Sequence, residues 1–226
     1  MQAMNGTAAL PRPARRDMET IATLPRHGAM RMERRLAAIF AADVVGYSRL
    51  MELDEAGTFE RLRAHRQELF EPTIAAHHGR VFKLMGDGLL AEFLSVVDAV
   101  HCAVALQTAL AERNAGIGEN QRIELRMGIN LGDVIVEGED RYGESVNIAA
   151  RLQALAEPGG IAVSRTVAEH VKDRLGVRFE PLGKHQVKNI AEPVHVYRIR
   201  PEAPPGREAC AKPTAAHALL PPEKPS

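Results

Sequence analysis

Hairpins that alternate with helical segments are the feature that most restricts the fold of this 226-residue chain. Residues 81–93, VFKLMGDGLLAEF, place two apolar runs around a Gly-Asp-Gly turn, which is a strong hairpin signal. Residues 122–138, RIELRMGINLGDVIVEG, alternate around Gly132 and Asp133 and predict a second hairpin that turns at this dipeptide. With the flanking helices, the order of elements becomes βα(α)ββαββαβαββ. This order predicts an α+β fold whose helices lie mostly on one face of a sheet.

Helix boundaries are indicated at several points between these hairpins. Residues 54–79 carry apolar side chains at roughly helical spacing, and Gly79 is expected to end that helix. Pro72 lies inside the segment and is expected to kink or divide it, because proline removes a backbone donor. Ser95 and Asp98 have the spacing of a capping box and predict the start of a long amphipathic helix.

The two ends of the chain differ in composition from the segment between them. Residues 1–33 are rich in Pro, Arg, Ala and Met without periodicity, and residues 201–226 are rich in Pro, so both are expected to be disordered. Residues 34–200 are expected to form one domain. The hydrophobic fraction of 45% is enough for an ordinary packed core.

Composition also argues against a nucleic-acid partner and against a membrane span, and it indicates a reducing compartment. Aromatic residues make up only 4%, and 29 basic residues balance 29 acidic ones, so a nucleic-acid partner is not expected. No stretch reaches the roughly 18 apolar residues that a membrane span needs. The two cysteines, Cys102 and Cys210, form no C-x-x-C pair, which fits a protein of the reducing cytoplasm.

Two aspartates are candidate ligands for a metal ion. Asp43 directly follows the apolar run LAAIFAA, where an unpaired charge would be costly. Asp87 lies in the Gly-flanked turn of the first hairpin, and carboxylates in such places are the ligands that Mg²⁺ prefers. An ordinary turn residue is the alternative for Asp87, since Asp-Gly is a favoured turn dipeptide. Asp43 has no such alternative.

An amide and a guanidinium form a second candidate pair. Asn147 and Arg151 are four residues apart and therefore share one face of the predicted helix in GESVNIAARLQALAEPGG. They border an apolar stripe, so either they are core-edge residues or they project into a cleft where the arginine binds phosphate. The sequence pattern leaves both readings open. The chain has no Walker phosphate loop, no G-x-G-x-x-G, no H-E-x-x-H and no G-x-S-x-G motif.

Four segments taken together carry a family resemblance. FAADVVGYS, FKLMGDG, MGINLGDVI and YGESVNIAARL occur in this order and resemble the catalytic domain of bacterial class III nucleotidyl cyclases, the adenylate and guanylate cyclases. The resemblance covers about residues 34–200. It implies a ferredoxin-like core with a mixed, mainly antiparallel sheet and helices packed on it. It also implies a homodimer with active sites at the subunit interface, where ATP or GTP becomes a 3′,5′-cyclic monophosphate and pyrophosphate.

The resemblance assigns a metal-binding role to two consecutive motif positions and one turn residue. Asp43 and Asp87 would hold two Mg²⁺ ions per site, with Mn²⁺ as a possible substitute, and the backbone carbonyl of Val44 would add a ligand. Two metals suit the in-line displacement of pyrophosphate by the ribose 3′-oxygen.

The resemblance assigns nucleotide-binding roles to five further residues. Lys83 and Asp140 match the family's purine-reading pair, and Asn147 and Arg151 match the pair that orients the ribose and stabilises the transition state. Lys188 matches a lysine on the triphosphate. One protomer would supply the metal-binding aspartates and its partner Lys83, Asp140, Asn147 and Arg151, so a lone monomer should be inactive.

The identity of the purine-reading pair predicts the substrate. Adenine offers an amino donor at N6 and an acceptor at N1, which suit the carboxylate of Asp140 and the ammonium of Lys83. We therefore expect an adenylate cyclase that makes cyclic AMP for intracellular signalling. The alternatives are a guanylate cyclase, which in this family usually carries Glu and a small residue at these positions, and a catalytically inactive cyclase-like module that binds nucleotide or a partner.

Overall fold

The computed structural model describes residues 33–172, 174–186, 190 and 192–201. Its strands are β1 (Glu33–Val44), β2 (Gly79–Met85), β3 (Gly88–Phe93), β4 (Leu125–Glu137), β5 (Asp140–Tyr142), β6 (Ile161–Ser164), β7 (Val177–His185) and β8 (Val194–Pro201). Its α-helices are α1 (Tyr47–Leu53), α2 (Glu55–His65), α3 (Glu71–Ala76), α4 (Val96–Arg113), α5 (Glu144–Leu155) and α6 (Arg165–Val171). The predicted leader and tail lie outside the described residues except for Glu33 and Pro201, which belong to the first and last strands.

The strands form one eight-stranded sheet with β1 near its middle. The order is β2-β3-β1-β4-β6-β8-β7, and β5 pairs with β4. All neighbouring strands are antiparallel except β4 and β6, which are parallel, so the expected mixed, mainly antiparallel sheet is confirmed. Residues 37–42 of β1 are buried on both faces, and this is why the apolar run reads as continuous instead of alternating.

The helices are distributed unequally over the two faces of the sheet. The larger core lies between one face and helices α1 to α4 and α6, with Phe40, Phe70 and Leu106 among its fully buried side chains. The other face carries α5, whose Ala149 and Leu152 pack on smaller clusters of the sheet. Helices mostly on one face were expected, and this is confirmed. Within the described part of the chain, no helix combines the length and apolar character needed to cross a membrane.

The second hairpin was placed wrongly in the sequence analysis. β4 runs without interruption through Gly132 and Asp133, and the chain turns instead at Gly138, which has φ 58°, before β5. A Cβ on Gly132 would lie 2.3 Å from Oγ of Ser145 on α5. This glycine therefore permits a close approach of α5 to the strand and does not mark a turn.

The helix signals were largely correct. Pro72 does not interrupt the helical backbone: α2 passes through a π-helical turn at Arg66–Phe70 directly into α3, which has Pro72 in its first turn. Oγ of Ser95 accepts a hydrogen bond from the backbone N–H of Asp98 at 3.2 Å, which confirms the start of α4. The short helix α1 was not predicted, and it buries only Leu50.

Candidate active site

The two candidate metal-binding aspartates lie together at one end of the sheet. Asp43 is the penultimate residue of β1, and Asp87 lies in the turn that joins β2 to β3, the strand that pairs with β1. The two carboxyl groups are close enough for Asp87 to raise the pKa of Asp43. A Cβ on Gly88 would lie 3.0 Å from Oδ1 of Asp43, so glycine at this position keeps the space beside the carboxylate open. The hairpin formed by β2 and β3 thus places Asp87 next to the end of β1.

The electrostatics of this pair favour a bound cation. Burial, and then the negative charge of Asp87, raise the pKa of Asp43 above its ordinary value, while Arg126 acts in the opposite direction. Nη2 of Arg126 is 3.6 Å from Oδ2 of Asp43, which is too long for a strong hydrogen bond. A divalent ion would relieve the repulsion between the two carboxylates more completely.

The donor set fits Mg²⁺ in particular. The described residues contain no cluster of three or more histidine, cysteine, aspartate or glutamate side chains that could enclose a metal. Magnesium needs no such cluster, because it typically takes one or two carboxylates and completes its octahedron with water and substrate phosphates. Val44 follows Asp43 at the end of β1 with its side chain buried, and its carbonyl is the third group assigned to the metals.

Replacing Asp87 with asparagine is expected to stabilise the domain in metal-free buffer at pH 7. The folded state raises the pKa of Asp43, so its charged form opposes folding above the ordinary value of 3.8, and removing the neighbouring charge reduces this penalty. Because the site is partly exposed, we expect a gain below about 1 kcal/mol, or a rise in Tm of about 2–4 °C at most.

The pH dependence distinguishes this cause from a general effect of the substitution. The stabilisation should fade as the pH falls through the raised pKa of Asp43 towards and below the ordinary value of 3.8, because protonation removes the charge on which Asp87 acts. Thermal unfolding of Asp133→Asn, which alters an exposed carboxylate on β4, serves as the control and should show no such trend. A lower Tm for Asp87→Asn at pH 7 would show that the two carboxylates do not repel each other.

A cavity of about 300 Å³ brings together two of the predicted nucleotide-binding residues. Lys83 of β2 and Asn147 of α5 line it. Its other lining residues are Met85, Leu90, Arg141, Tyr142, Gly143, Val146 and Ala150. Apolar walls with a few polar groups are typical of a site for a flat, partly polar ligand.

Asp140 lies beside this cavity at the start of β5. The hydroxyl of Tyr142 donates a hydrogen bond to Oδ2 of Asp140 at 3.2 Å, so the two side chains share one face of the short strand. Tyr142 itself lines the cavity. Of the predicted purine-reading pair, Lys83 lines the cavity, and Asp140 is connected to it through its hydrogen bond to Tyr142.

Helix α5 presents Asn147 and Arg151 on its exposed side. Both side chains are exposed, and they lie one helical turn apart. Ala149 and Leu152 face the sheet instead. Of the two readings left open by the sequence, the core-edge reading is therefore wrong. Within the described residues, Arg151 makes no hydrogen bond or ion pair, which leaves its guanidinium available to another molecule.

The predicted site residues divide into two groups in a single protomer. Asp43 and Asp87 are adjacent to each other but do not line the cavity that contains Lys83 and Asn147. Arg151 lies one helical turn beyond that cavity. Lys188, the predicted triphosphate ligand, lies outside the described residues.

Three charged residues of this region were missed in the sequence analysis. Arg126 faces Asp43 across the β1–β4 pairing, and Glu92 of β3 forms a buried ion pair with Arg141 of β5. Glu92 gave a usable signal, because a carboxylate inside the apolar run GLLAEF requires a partner. Its partner could not be read from the sequence, since Arg141 is 49 residues away.

Comparison with known proteins places this arrangement in a family. The profile of the adenylate and guanylate cyclase catalytic domain matches residues 31–201, and the chain belongs to this family. It is a class III nucleotidyl cyclase domain, a lyase by reaction class, so the resemblance found in the sequence is confirmed.

Individual relatives agree with the family assignment. A Rhizobium meliloti protein named "Putative adenylate cyclase 3" is 52% identical over 171 residues, which are 76% of this chain and 29% of that protein. The chain thus spans less than a third of this relative's length.

Solved structures agree as well. The crystal structure of an adenylate/guanylate cyclase/hydrolase from Silicibacter pomeroyi is 44% identical with a TM-score of 0.72, covering 75% of this chain and 99% of that one. An adenylyl cyclase from P. aeruginosa, at 23% identity and a TM-score of 0.68 over 76% of this chain and 97% of its own, shares the fold.

Proposed function

We propose that this domain is an adenylate cyclase that converts ATP into 3′,5′-cyclic AMP and pyrophosphate at a site shared by two copies of the chain, for intracellular signalling. The observation that carries the proposal is the cavity lined by Lys83 and Asn147 with Asp140 beside it. The similarity to proteins named adenylate cyclase supports it.

The two groups of residues have different roles in the proposed reaction: one binds the metal ions and the other binds the nucleotide. Asp43 and Asp87 of one protomer hold the metal ions, and Asn147 of the other fixes the ribose so that its 3′-oxygen faces the α-phosphorus. Two divalent cations, when bound, neutralise phosphate charge and lower the pKa of the 3′-hydroxyl. The 3′-hydroxyl gives up its proton to water, and the 3′-oxygen bonds to the α-phosphorus as the bond to the bridging oxygen of the departing pyrophosphate breaks in line.

Arg151 has the properties required of the group that stabilises the transition state. Its guanidinium is exposed and unpaired within the described part of the chain, so it can donate two hydrogen bonds to phosphoryl oxygens without first breaking an ion pair. Donors aimed at charge that develops in the transition state are usually the largest catalytic contribution.

Exchanging the purine-reading pair is expected to change the substrate. Wild-type enzyme should turn over ATP in preference to GTP. The double variant Lys83→Glu, Asp140→Cys should lower the ratio of kcat/KM for ATP to that for GTP by about 100-fold or more, because a mismatched base leaves buried polar groups unpaired. Chromatographic measurement of cyclic AMP and cyclic GMP formed with Mg²⁺ gives both ratios.

A control variant tests the assignment of the purine-reading pair, and the nucleotide preference of the wild type distinguishes an adenylate cyclase from the two alternative functions. Lys184→Glu changes an exposed lysine on β7, at the opposite edge of the sheet from β2, and should leave the ratio unchanged. A folded double variant that keeps the wild-type ratio would overturn the assignment of the purine-reading pair. Preference of the wild type for GTP would indicate a guanylate cyclase, and nucleotide binding without turnover would indicate an inactive module.

A further inference from the structure

A cluster of three charged residues, two of them buried, adjoins the nucleotide cavity, which one of the three lines. Glu92 accepts hydrogen bonds from Arg141 at both carboxylate oxygens, with Nε–Oε2 2.6 Å and Nη2–Oε1 2.7 Å. It also accepts one from Nη2 of Arg35 at 2.6 Å. The side chains of Glu92 and Arg141 are only 7% and 2% exposed. We call Arg35, Glu92 and Arg141 the Glu92 cluster.

The Glu92 cluster is charged in the folded protein. Burial opposes ionisation of Glu92, but the hydrogen bonds from Arg141 and Arg35 outweigh it, and the pKa of the carboxyl group lies below its ordinary value. Buried ion pairs of this kind add little net stability compared with apolar side chains of the same volume. What a bidentate pair does provide is a fixed geometry, since both hydrogen bonds are lost when either partner shifts.

Arg141 fixes the strand that carries Asp140. β5 has only three residues, and Arg141 is the middle one, so its side chain points inward while Asp140 and Tyr142 occupy the other face. The same guanidinium donates hydrogen bonds to the backbone carbonyls of Gly138 at 3.2 Å and Asp140 at 2.9 Å. A displacement of Arg141 would therefore move Asp140 directly.

The other end of the cluster is connected to the strand of Lys83. Glu92 belongs to β3, and β3 pairs with β2 so that Leu90 lies opposite Lys83. The guanidinium of Arg141 also lies over the ring of Phe82, the residue before Lys83, at 6.0 Å from its centroid. Through Arg141, the Glu92 carboxylate is thus connected to the backbone of Asp140 and to Phe82, the residue before Lys83.

We propose that Glu92 and Arg141 are positioning residues that set the separation between Lys83 and Asp140, and that this separation determines how strongly the domain prefers adenine over guanine. The inference rests on the proposed cyclase function. Glu92 acts through Arg141, and Arg141, which also forms part of the cavity wall, acts through its hydrogen bonds to the backbone of β5. Because hydrogen bonds weaken steeply with small displacements, a loosened β5 would weaken base recognition before it affected the chemistry at the phosphate.

Replacing the pair with apolar side chains of similar size tests this role. Glu92→Leu with Arg141→Met removes the buried ion pair without leaving either of its charges buried alone, and Arg35, whose side chain is 33% exposed, keeps part of its contact with water. We expect a Tm near the wild-type value, a KM for ATP raised about 10-fold, a kcat changed by less than about 3-fold, and a fall of about 10-fold in the ATP-to-GTP ratio of kcat/KM. Arg141→Lys, which keeps the charge but not the bidentate geometry, should give an intermediate ratio.

A surface ion pair between the same two parts of the chain provides the matched control. Arg80 of β2 and Glu139, in the turn before β5, form an exposed pair, and replacing both with alanine should change KM and the ratio by less than about 2-fold. Hydrogen exchange of the amides of residues 138–143 should be faster in the double variant than in this control.

The outcomes separate this inference from the proposed function. An unchanged ratio and KM in folded Glu92→Leu, Arg141→Met would overturn the positioning role, and so would a fall in kcat alone. If that variant does not fold, a wild-type ratio in folded Arg141→Lys overturns the role equally. A wild-type protein that cyclises no nucleotide would instead contradict the proposed function itself.

Discussion

Replacing Asp43 or Asp87 with alanine is expected to lower the rate of cyclic AMP formation about 10³-fold or more while the domain remains folded. Asp87 is close enough to Asp43 to raise the pKa of its carboxyl group, and among the described residues no third acidic, histidine or cysteine side chain forms a metal-binding group with them. The loss of either carboxylate therefore removes a ligand that no neighbouring side chain replaces. A factor of 10³ corresponds to about 4 kcal/mol of transition-state stabilisation, which is within the range that metal ions supply. Initial rates at saturating ATP and Mg²⁺ measure the effect.

The control for this prediction is a carboxylate remote from the site. Glu112→Ala changes an exposed residue on α4, which packs on the opposite face of the sheet from α5, and it should retain full activity. Thermal unfolding of all three variants checks that the fold is intact. Near-normal turnover in either aspartate variant would show that the metal roles are wrong.

The elements that the sequence predicted correctly are those with local signals. The Gly-Asp-Gly turn of the first hairpin is specified by backbone conformation, with Gly86 at φ 58°, and such a requirement is visible in the sequence itself. The second hairpin was misplaced because Gly132 has a tertiary cause, the close approach of Ser145, that no local pattern reveals. Helix α1 was missed because seven residues with one buried side chain have no detectable periodicity.

The candidate site was predictable to the extent that its residues belong to recognisable motifs. The adjacency of Asp43 and Asp87 follows from two strands that pair in the sheet, and the motif order already implied it. The Glu92 cluster was not predictable, because it joins β1, β3 and β5 through side chains that lie 49 and 57 residues apart. Long-range ion pairs of this kind depend on the register of the whole sheet.

Mixing two inactive variants is expected to restore activity if the site is shared. Asp43→Ala damages the metal-binding group of residues, and Arg151→Ala damages the nucleotide-binding group. In a heterodimer of the two, both changes fall in one site, and the other site keeps an intact set from each protomer. Random pairing makes half of the dimers heterodimers with one working site of two, so an equimolar mixture should reach about one quarter of wild-type activity.

A second mixture tests the division between the two groups of residues. Asp43→Ala mixed with Asp87→Ala should remain inactive, because both changes affect the same group and every dimer then has one altered aspartate in each site. The proposed shared site predicts this difference between the mixtures, because within one protomer the aspartates do not line the cavity of Lys83 and Asn147. Activity restored in neither mixture would mean that each chain carries a complete site or that the two groups never meet across a dimer. Activity restored in both mixtures would mean that Asp43 and Asp87 do not belong to one group.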